Sequence, residues 1–89
     1  MYIRRSKQFD RAYDYLDVKI QVKAISALQL FIINPFNPTL NNHALTGNLK
    51  GLRSINITGD FRIHYRELSD GKYELVELIN IGTHSQLYQ

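Results

Sequence analysis

Phe9, Tyr13, Leu16 and Ile20 recur at spacings of four, three and four residues, which places them on one helical face. Ser6 stands just ahead of this pattern and predicts a helix N-cap, because its hydroxyl can accept a bond from an unpaired amide of the first turn. A second helical pattern runs through Val22, Ile25, Leu28 or Gln29, and Ile32, with Ala24, Ala27 and Phe31 adding apolar surface. Asn34-Pro35 ends it, since proline disfavours the helical region for the residue before it. A break near Asp17-Val18 predicts a helical hairpin; without one the two patterns form a single bent helix. Ahead of both, Tyr2 to Arg5 predicts a short first strand.

From Asn34 to Gly51 the chain carries two prolines and four asparagines before Gly47, with no clean period. A loop this long in a small domain is more often functional or mobile than idle. Beyond it the pattern becomes that of an antiparallel meander. Leu52 to Ile57 and Phe61 to Leu68 are strands joined through Thr58-Gly59-Asp60, and Ser69-Asp70-Gly71-Lys72 supplies an Asp-Gly turn into a third strand, Tyr73 to Ile81. Alternation is sharp in the middle strand. Phe61, Ile63 and Tyr65 fall on one face; Arg62, His64 and Arg66 fall on the other. Ile55 and Ile57 share the first face, and Ser54 and Asn56 the second. Arg53 has the parity of Ile55, which predicts that it precedes the regular strand. Tyr73 to Ile81 is apolar on both sides, as in a central strand. The expected fold is α+β: an N-terminal strand, a helical hairpin, then an antiparallel sheet with the helices on one face and a polar face left open.

With 89 residues the chain forms one domain, 1–89, too small for a deep pocket. There are no cysteines, so disulfides and Cys-based zinc sites are excluded. No apolar run reaches the roughly 18 residues needed to span a bilayer, and no long apolar core follows Met1-Tyr2-Ile3-Arg4-Arg5. A soluble cytoplasmic protein, with no membrane contact, is the expectation.

The net charge of +3 is modest, but its distribution is uneven. Between His43 and Arg66 lie Lys50, Arg53, Arg62 and Arg66 against one acid, Asp60, whereas the other acids cluster early and late. A localised basic patch is the footprint of a polyanion partner, although solvated surface charge has the same appearance. The open face presents Arg62, His64, Arg66 and Asn56; the loop supplies His43, the turn Asp60, and the tail His84 and Tyr88. Metal-free cleavage of RNA needs a base for the 2′-hydroxyl, an acid for the departing 5′-oxygen, and a cation for the phosphorane-like transition state. Histidine suits both proton transfers, because its pKa of about 6.5 lies near working pH. Arginine suits the third role, because its planar fork matches phosphate oxygens. An aromatic side chain beside the cleft can stack on an unpaired base.

Spacing alone leaves this chemistry open. The ordered set His43-Ala44-Leu45-Thr46-Gly47-Asn48-Leu49-Lys50-Gly51, then Gly59-Asp60-Phe61-Arg62-Ile63-His64-Tyr65, then Gly82-Thr83-His84-Ser85-Gln86-Leu87-Tyr88 resembles the RelE/ParE toxin superfamily of prokaryotic type II toxin–antitoxin systems. Within it, the chain is most similar to the YafQ-like mRNA interferases of the RelE branch, over nearly its whole length. The resemblance implies a ribosome-dependent endoribonuclease that needs no metal or other cofactor. It implies a cognate antitoxin, the ribosome and mRNA as partners, and no sequence-specific DNA recognition by the toxin itself. By residue it implies catalytic roles for His84, His43, Asp60 and Arg62, and RNA contacts for Tyr88; Lys50, Arg53, Asn56 and Arg66 are the accompanying candidates for holding RNA. Asn56 stands where YafQ-like proteins often carry a histidine, and Phe61 where they often carry tryptophan. Asn56 is neither acid nor base at neutral pH, which shifts the burden to His84 and His43.

Each residue also has a structural reading. His84 and Tyr88 would cap or pin the tail, and His43 would bond within its loop. Asp60 would serve its turn, and Arg62 would pair with Glu67, Glu74 or Glu77. His64, given no role by the family pattern, is expected at the surface. Two further functions fit the same fold: a ParE-branch toxin acting on DNA gyrase without cleaving nucleic acid, and an inactive relative that only binds an antitoxin.

Overall fold

A computed structural model describes residues 1–88. The first strand, β1 (Tyr2–Arg5), leads into α1 (Lys7–Asp14) and α2 (Val18–Ile33). Ser6 caps α1 as its position implies: Oγ accepts from the Phe9 N–H at 3.0 Å and donates to the Ile79 carbonyl at 2.8 Å, tying the helix start to the sheet. The chain breaks between the helices at Asp17, whose carboxylate accepts from the Lys19 N–H at 2.8 Å and caps α2. The helical hairpin therefore forms. The α2 helix ends at Asn34, before Pro35.

The long segment after α2 holds two single-turn 3₁₀ helices, Pro38–Leu40 and Gly47–Leu49, and between them a two-residue strand, β2 (His43–Ala44). The meander follows as β3 (Arg53–Thr58), β4 (Phe61–Glu67) and β5 (Leu75–Thr83), with α3 (His84–Leu87) at the end. All strands join one sheet in the order β1-β5-β4-β3-β2. It is mixed rather than purely antiparallel, since β1 runs parallel to β5. The crossover through two helices allows this.

The last strand starts two residues later than its apolar pattern suggests. The Glu67 carboxylate accepts from the N–H groups of Ser69, Gly71 and Tyr73 and from the Ser69 hydroxyl. Those amides are thereby withheld from the sheet ladder, and these bonds hold the Glu67 pKa below the usual carboxylate range against the opposing effect of desolvation. Inside this loop the Asp-Gly turn is present. Asp70 and Gly71 have φ of +54° and +81°, and the Lys72 N–H donates to the Ser69 carbonyl at 3.1 Å.

On one face of the sheet Ile55, Ile63, Tyr65, Val76, Leu78 and Ile81 pack against Phe9, Ala24, Ala27 and Phe31. The α1 helix lies over β5 and α2 over β3. Two buried leucines, Leu45 and Leu87, stand outside this cluster. Leu45 continues the parity of His43, which pairs with Ser54, and Leu87 belongs to α3. The short helix and the segment Thr46–Leu49 together line a cleft with Leu87 and Tyr88. The second face is therefore roofed at its centre, and Ser54 and His64 are buried beneath, at 1% and 2% exposure. Ser54 and His64 are therefore not the open positions that the alternation predicts. Strand parity put them on the right face, but the tail and loop fold over it.

Candidate active site

Register aligns one row of side chains across four strands: His43 on β2, Ser54 on β3, His64 on β4 and Asn80 on β5. The next row carries Asn56, Arg62 and Gly82. These positions lie on the face opposite the helices, with α3 rising from the end of β5 beside them.

His43 is exposed, and its Nδ1 lies 2.8 Å from the Asn41 carbonyl. A carbonyl only accepts, so Nδ1 carries a proton, which leaves Nε2 as the ring nitrogen able to accept one. Asn41 reaches this geometry in the left-handed region, with φ of +46°. Asparagine tolerates that region better than most residues.

His84 is the first residue of α3. Its backbone N–H donates to the Asp60 carbonyl at 3.0 Å, which fixes the tail against the β3–β4 turn. Thr83 and Gln86 form a reciprocal capping box: the Gln86 N–H donates to Thr83 Oγ1 at 3.2 Å and the Thr83 N–H to Gln86 Oε1 at 2.9 Å. Gly82 leaves room for this arrangement, since a Cβ there would meet Gln86 Oε1 at 2.8 Å. The His84 ring is stacked on Tyr88, with centroids 4.3 Å apart and planes 28° apart. Tyr88 in turn stands nearly perpendicular to His64, at 5.4 Å and 84°.

All three histidines thus converge. Burial first, and then the charges that His43 and His84 carry when protonated, lower the His64 pKa to about 4. His64 is neutral at pH 7, and its Nε2 is buried with no hydrogen-bond partner among the described residues. Asn56 Oδ1 is likewise buried with no partner among the described residues.

The other expected residues divide. Arg62 does not pair with Glu67, Glu74 or Glu77. Its Nη1 donates to the Gly59 and Phe61 carbonyls at 2.9 and 3.0 Å, holding the turn that carries Asp60. Asp60 is exposed in that turn, and its backbone rather than its carboxylate contacts the tail. Lys50 and Arg66 are exposed, Lys50 at the end of the 3₁₀ turn beside the tail and Arg66 on β4 opposite Glu77.

Arg53 does not share the groove. It opens β3 opposite Tyr65, on the helix-bearing side. Its Nε donates to Asn42 Oδ1 at 3.1 Å and to the Tyr65 hydroxyl at 3.2 Å, and its guanidinium lies 5.7 Å from the Phe36 ring centroid. Tyr65 donates to Asn42 Oδ1 at 2.6 Å, and its hydroxyl lies 2.7 Å from that of Tyr73. Burial raises the Tyr65 pKa well above its usual value, so the hydroxyl remains protonated. This network latches the long loop onto the sheet at Asn42, next to His43. No periodic signal in the loop announces it. Replacing Arg53 by alanine should destabilise the fold by about 1–3 kcal/mol, because Asn42 and Tyr65 lose a charged donor. Chemical denaturation gives the stability change, and, if Arg53 lies off the RNA-binding face, filter binding of a short RNA should show affinity within about twofold of wild type. A tenfold loss of RNA affinity at unchanged stability would return Arg53 to the groove.

A family described as the bacterial toxin of type II toxin–antitoxin systems, YafQ, matches residues 1–89. Solved structures share the fold at low sequence identity. YafQ from E. coli strain BL21(DE3) is 22% identical, covers 99% of this chain and 98% of its own, and superposes with a TM-score of 0.80. YafQ in an E. coli DinJ–YafQ complex is 22% identical over 99% and 98% of the two chains, with a TM-score of 0.70. A YoeB/ParE toxin from Agrobacterium tumefaciens is 22% identical over 94% and 99%, with a TM-score of 0.76. No curated protein sequence matches the chain. The match along the whole length, joined to the mixed sheet and its C-terminal Gly-Thr-His tail, shows that the chain belongs to the YafQ family of bacterial type II toxin–antitoxin toxins.

Proposed function

We propose that this toxin is an endoribonuclease that cuts mRNA in the ribosome by 2′-hydroxyl attack, without a metal. The observation that carries this reading is that two exposed histidines, His43 and His84, both lie close enough to the buried His64 to act on it, with an exposed aromatic ring, Tyr88, stacked on His84. His43 is the base: its Nδ1–H is committed to the Asn41 carbonyl, which leaves Nε2 to take the 2′-hydroxyl proton. The 2′-oxygen then bonds to the adjacent phosphorus while the bond to the 5′-oxygen breaks. His84 is the acid that protonates that leaving oxygen. Arg62 keeps Nε and Nη2 free of hydrogen bonds among the described residues, and these face the charge that builds on the phosphorane. Tyr88 stacks on a base, at about 1–3 kcal/mol per base. Lys50 and Arg66 hold the RNA backbone, and Asp60 orients the turn that anchors His84.

The setting is cytoplasmic, and the natural partner besides the ribosome is a cognate antitoxin. Val18, Val22, Ile25, Ile32 and Ile33 of α2 are exposed beside Lys19 and Lys23, a surface suited to an acidic, apolar partner. E. coli YafQ is seen in complex with DinJ.

Purified toxin added to ribosomes carrying a defined mRNA should yield a cut whose upstream fragment ends in a 2′,3′-cyclic phosphate or a 3′-phosphate. Fragments ending in 3′-hydroxyl would overturn the mechanism. Absence of cleavage together with inhibition of gyrase supercoiling would instead place the chain with the non-nuclease toxins.

A further inference from the structure

We propose that His64 is a positioning residue of this site: its buried ring is the seat against which Tyr88 stands, and through Tyr88 it holds the imidazole of His84. This rests on the reading of His84 as a proton donor. It goes beyond that reading by giving a role to a residue that strand parity alone leaves idle.

The tail has little of its own to hold its last ring in place. The α3 helix spans only His84–Leu87, and Tyr88 lies one residue beyond, 44% exposed. The capping box fixes the helix start, and Leu87 is buried. His64 meets Tyr88 nearly at right angles at 5.4 Å, while Tyr88 lies almost flat on His84 at 4.3 Å. The three rings make a chain from the sheet to the surface. Perpendicular and offset-parallel contacts are the two favoured arrangements of aromatic pairs.

His64 lies under the roof formed by the tail and the Leu45 segment, at 2% exposure, with Ser54 beside it. A buried imidazole nitrogen without a partner is a cost that calls for an explanation. Seating Tyr88 supplies one, because an aliphatic residue offers no ring edge to a perpendicular partner. Burial also keeps the ring neutral. A cation there would oppose protonation of His84, the form an acid needs.

The test compares His64→Leu, which fills the space without a ring, with His64→Phe, which restores one. The first readout is the proton spectrum of the His84 ring in the free toxin, where stacking on Tyr88 shifts the Cε1–H signal upfield. His64→Leu should lose at least half of that shift and His64→Phe should keep it, with both variants folded by circular dichroism. The second readout is single-turnover cleavage: the rate constant should fall about 10- to 100-fold in His64→Leu, as small misplacements of a catalytic group do, and recover in His64→Phe. An unchanged His84 shift in His64→Leu, or equal loss in both variants, overturns the proposal. Failure of the wild type to cut RNA overturns the proposed reaction instead, and the spectra still decide whether His64 seats Tyr88.

Discussion

Replacing His84 by alanine should lower mRNA cleavage by about 10²–10⁴-fold, the contribution of a positioned general acid or base, and leave the fold intact. That range corresponds to about 2.7–5.4 kcal/mol of transition-state stabilisation. The variant is informative because little else at this position depends on the side chain. The backbone N–H still donates to the Asp60 carbonyl, and the capping box is made by Thr83 and Gln86. Alanine is the best helix former, and the exposed side chain leaves no cavity when removed. Only the stack on Tyr88 is lost. Ser85, equally exposed on the same turn, provides the control: Ser85→Ala should cleave at the wild-type rate. Single-turnover cleavage on programmed ribosomes, with thermal melting as the fold check, measures both. Full cleavage by folded His84→Ala would remove His84 from the chemistry and leave His43 without a partner acid.

How much of this site could be read from the chain depends on the range of the interactions that build it. The Ser6 cap, the break at Asp17, the Asp70-Gly71 turn and the alternation of β4 are governed by neighbours a few residues away, and the sequence pattern exposes them. The parallel seat of β1 and the two-residue β2 are not local. Nothing in Tyr2–Arg5 specifies β5 as its partner, and His43–Ala44 is too short to show a period. Two register shifts, near Ile57 and near Ile79, also interrupt simple alternation along β3 and β5. Glu67 shows the same limit from another side. Its carboxylate collects three amides of its own loop, so an apolar stretch that looks like strand from Tyr73 onward is still loop there.

The histidines divide along this line. The tail motif marks His84, and the loop motif marks His43. His64 carries the right parity and no motif, and what distinguishes it is the roof above it, built from Leu45, Leu87 and Tyr88, far away in sequence. The departure at Asn56 gains meaning from that. The face that has asparagine on β3 has a histidine on the adjacent strand β4, but a buried neutral one. In the mechanism we propose it supports the exposed pair, and the two proton transfers stay with His43 and His84.

Acidification should destabilise this toxin well before its carboxylates titrate. The His64 pKa is lowered to about 4 in the folded chain, by burial first and by His43 and His84 next, against 6.5 for an ordinary histidine. The unfolded chain therefore binds the extra proton first. The stabilising contribution is fully present above pH 6.5 and is lost as pH falls from there toward 4. Between pH 7 and pH 5 the loss should be about 1–2 kcal/mol. Glu67, whose folded pKa is lowered, also loses stability on acidification, but only in and below the ordinary carboxylate range, so the window from pH 6.5 to 5 belongs to the histidine. The groups facing His64 in that window are His43 from β2, and His84 and Tyr88 from the tail. Urea denaturation at pH 7, 6 and 5 and constant ionic strength measures the slope for wild type and for His64→Leu. The variant should be at least as stable as wild type at pH 5 and should show a markedly flatter dependence, since the leucine has no proton to bind in either state. Parallel slopes would mean that His64 takes up its proton as readily in the fold as outside it, and then neither its burial nor its neutrality beside His84 would stand.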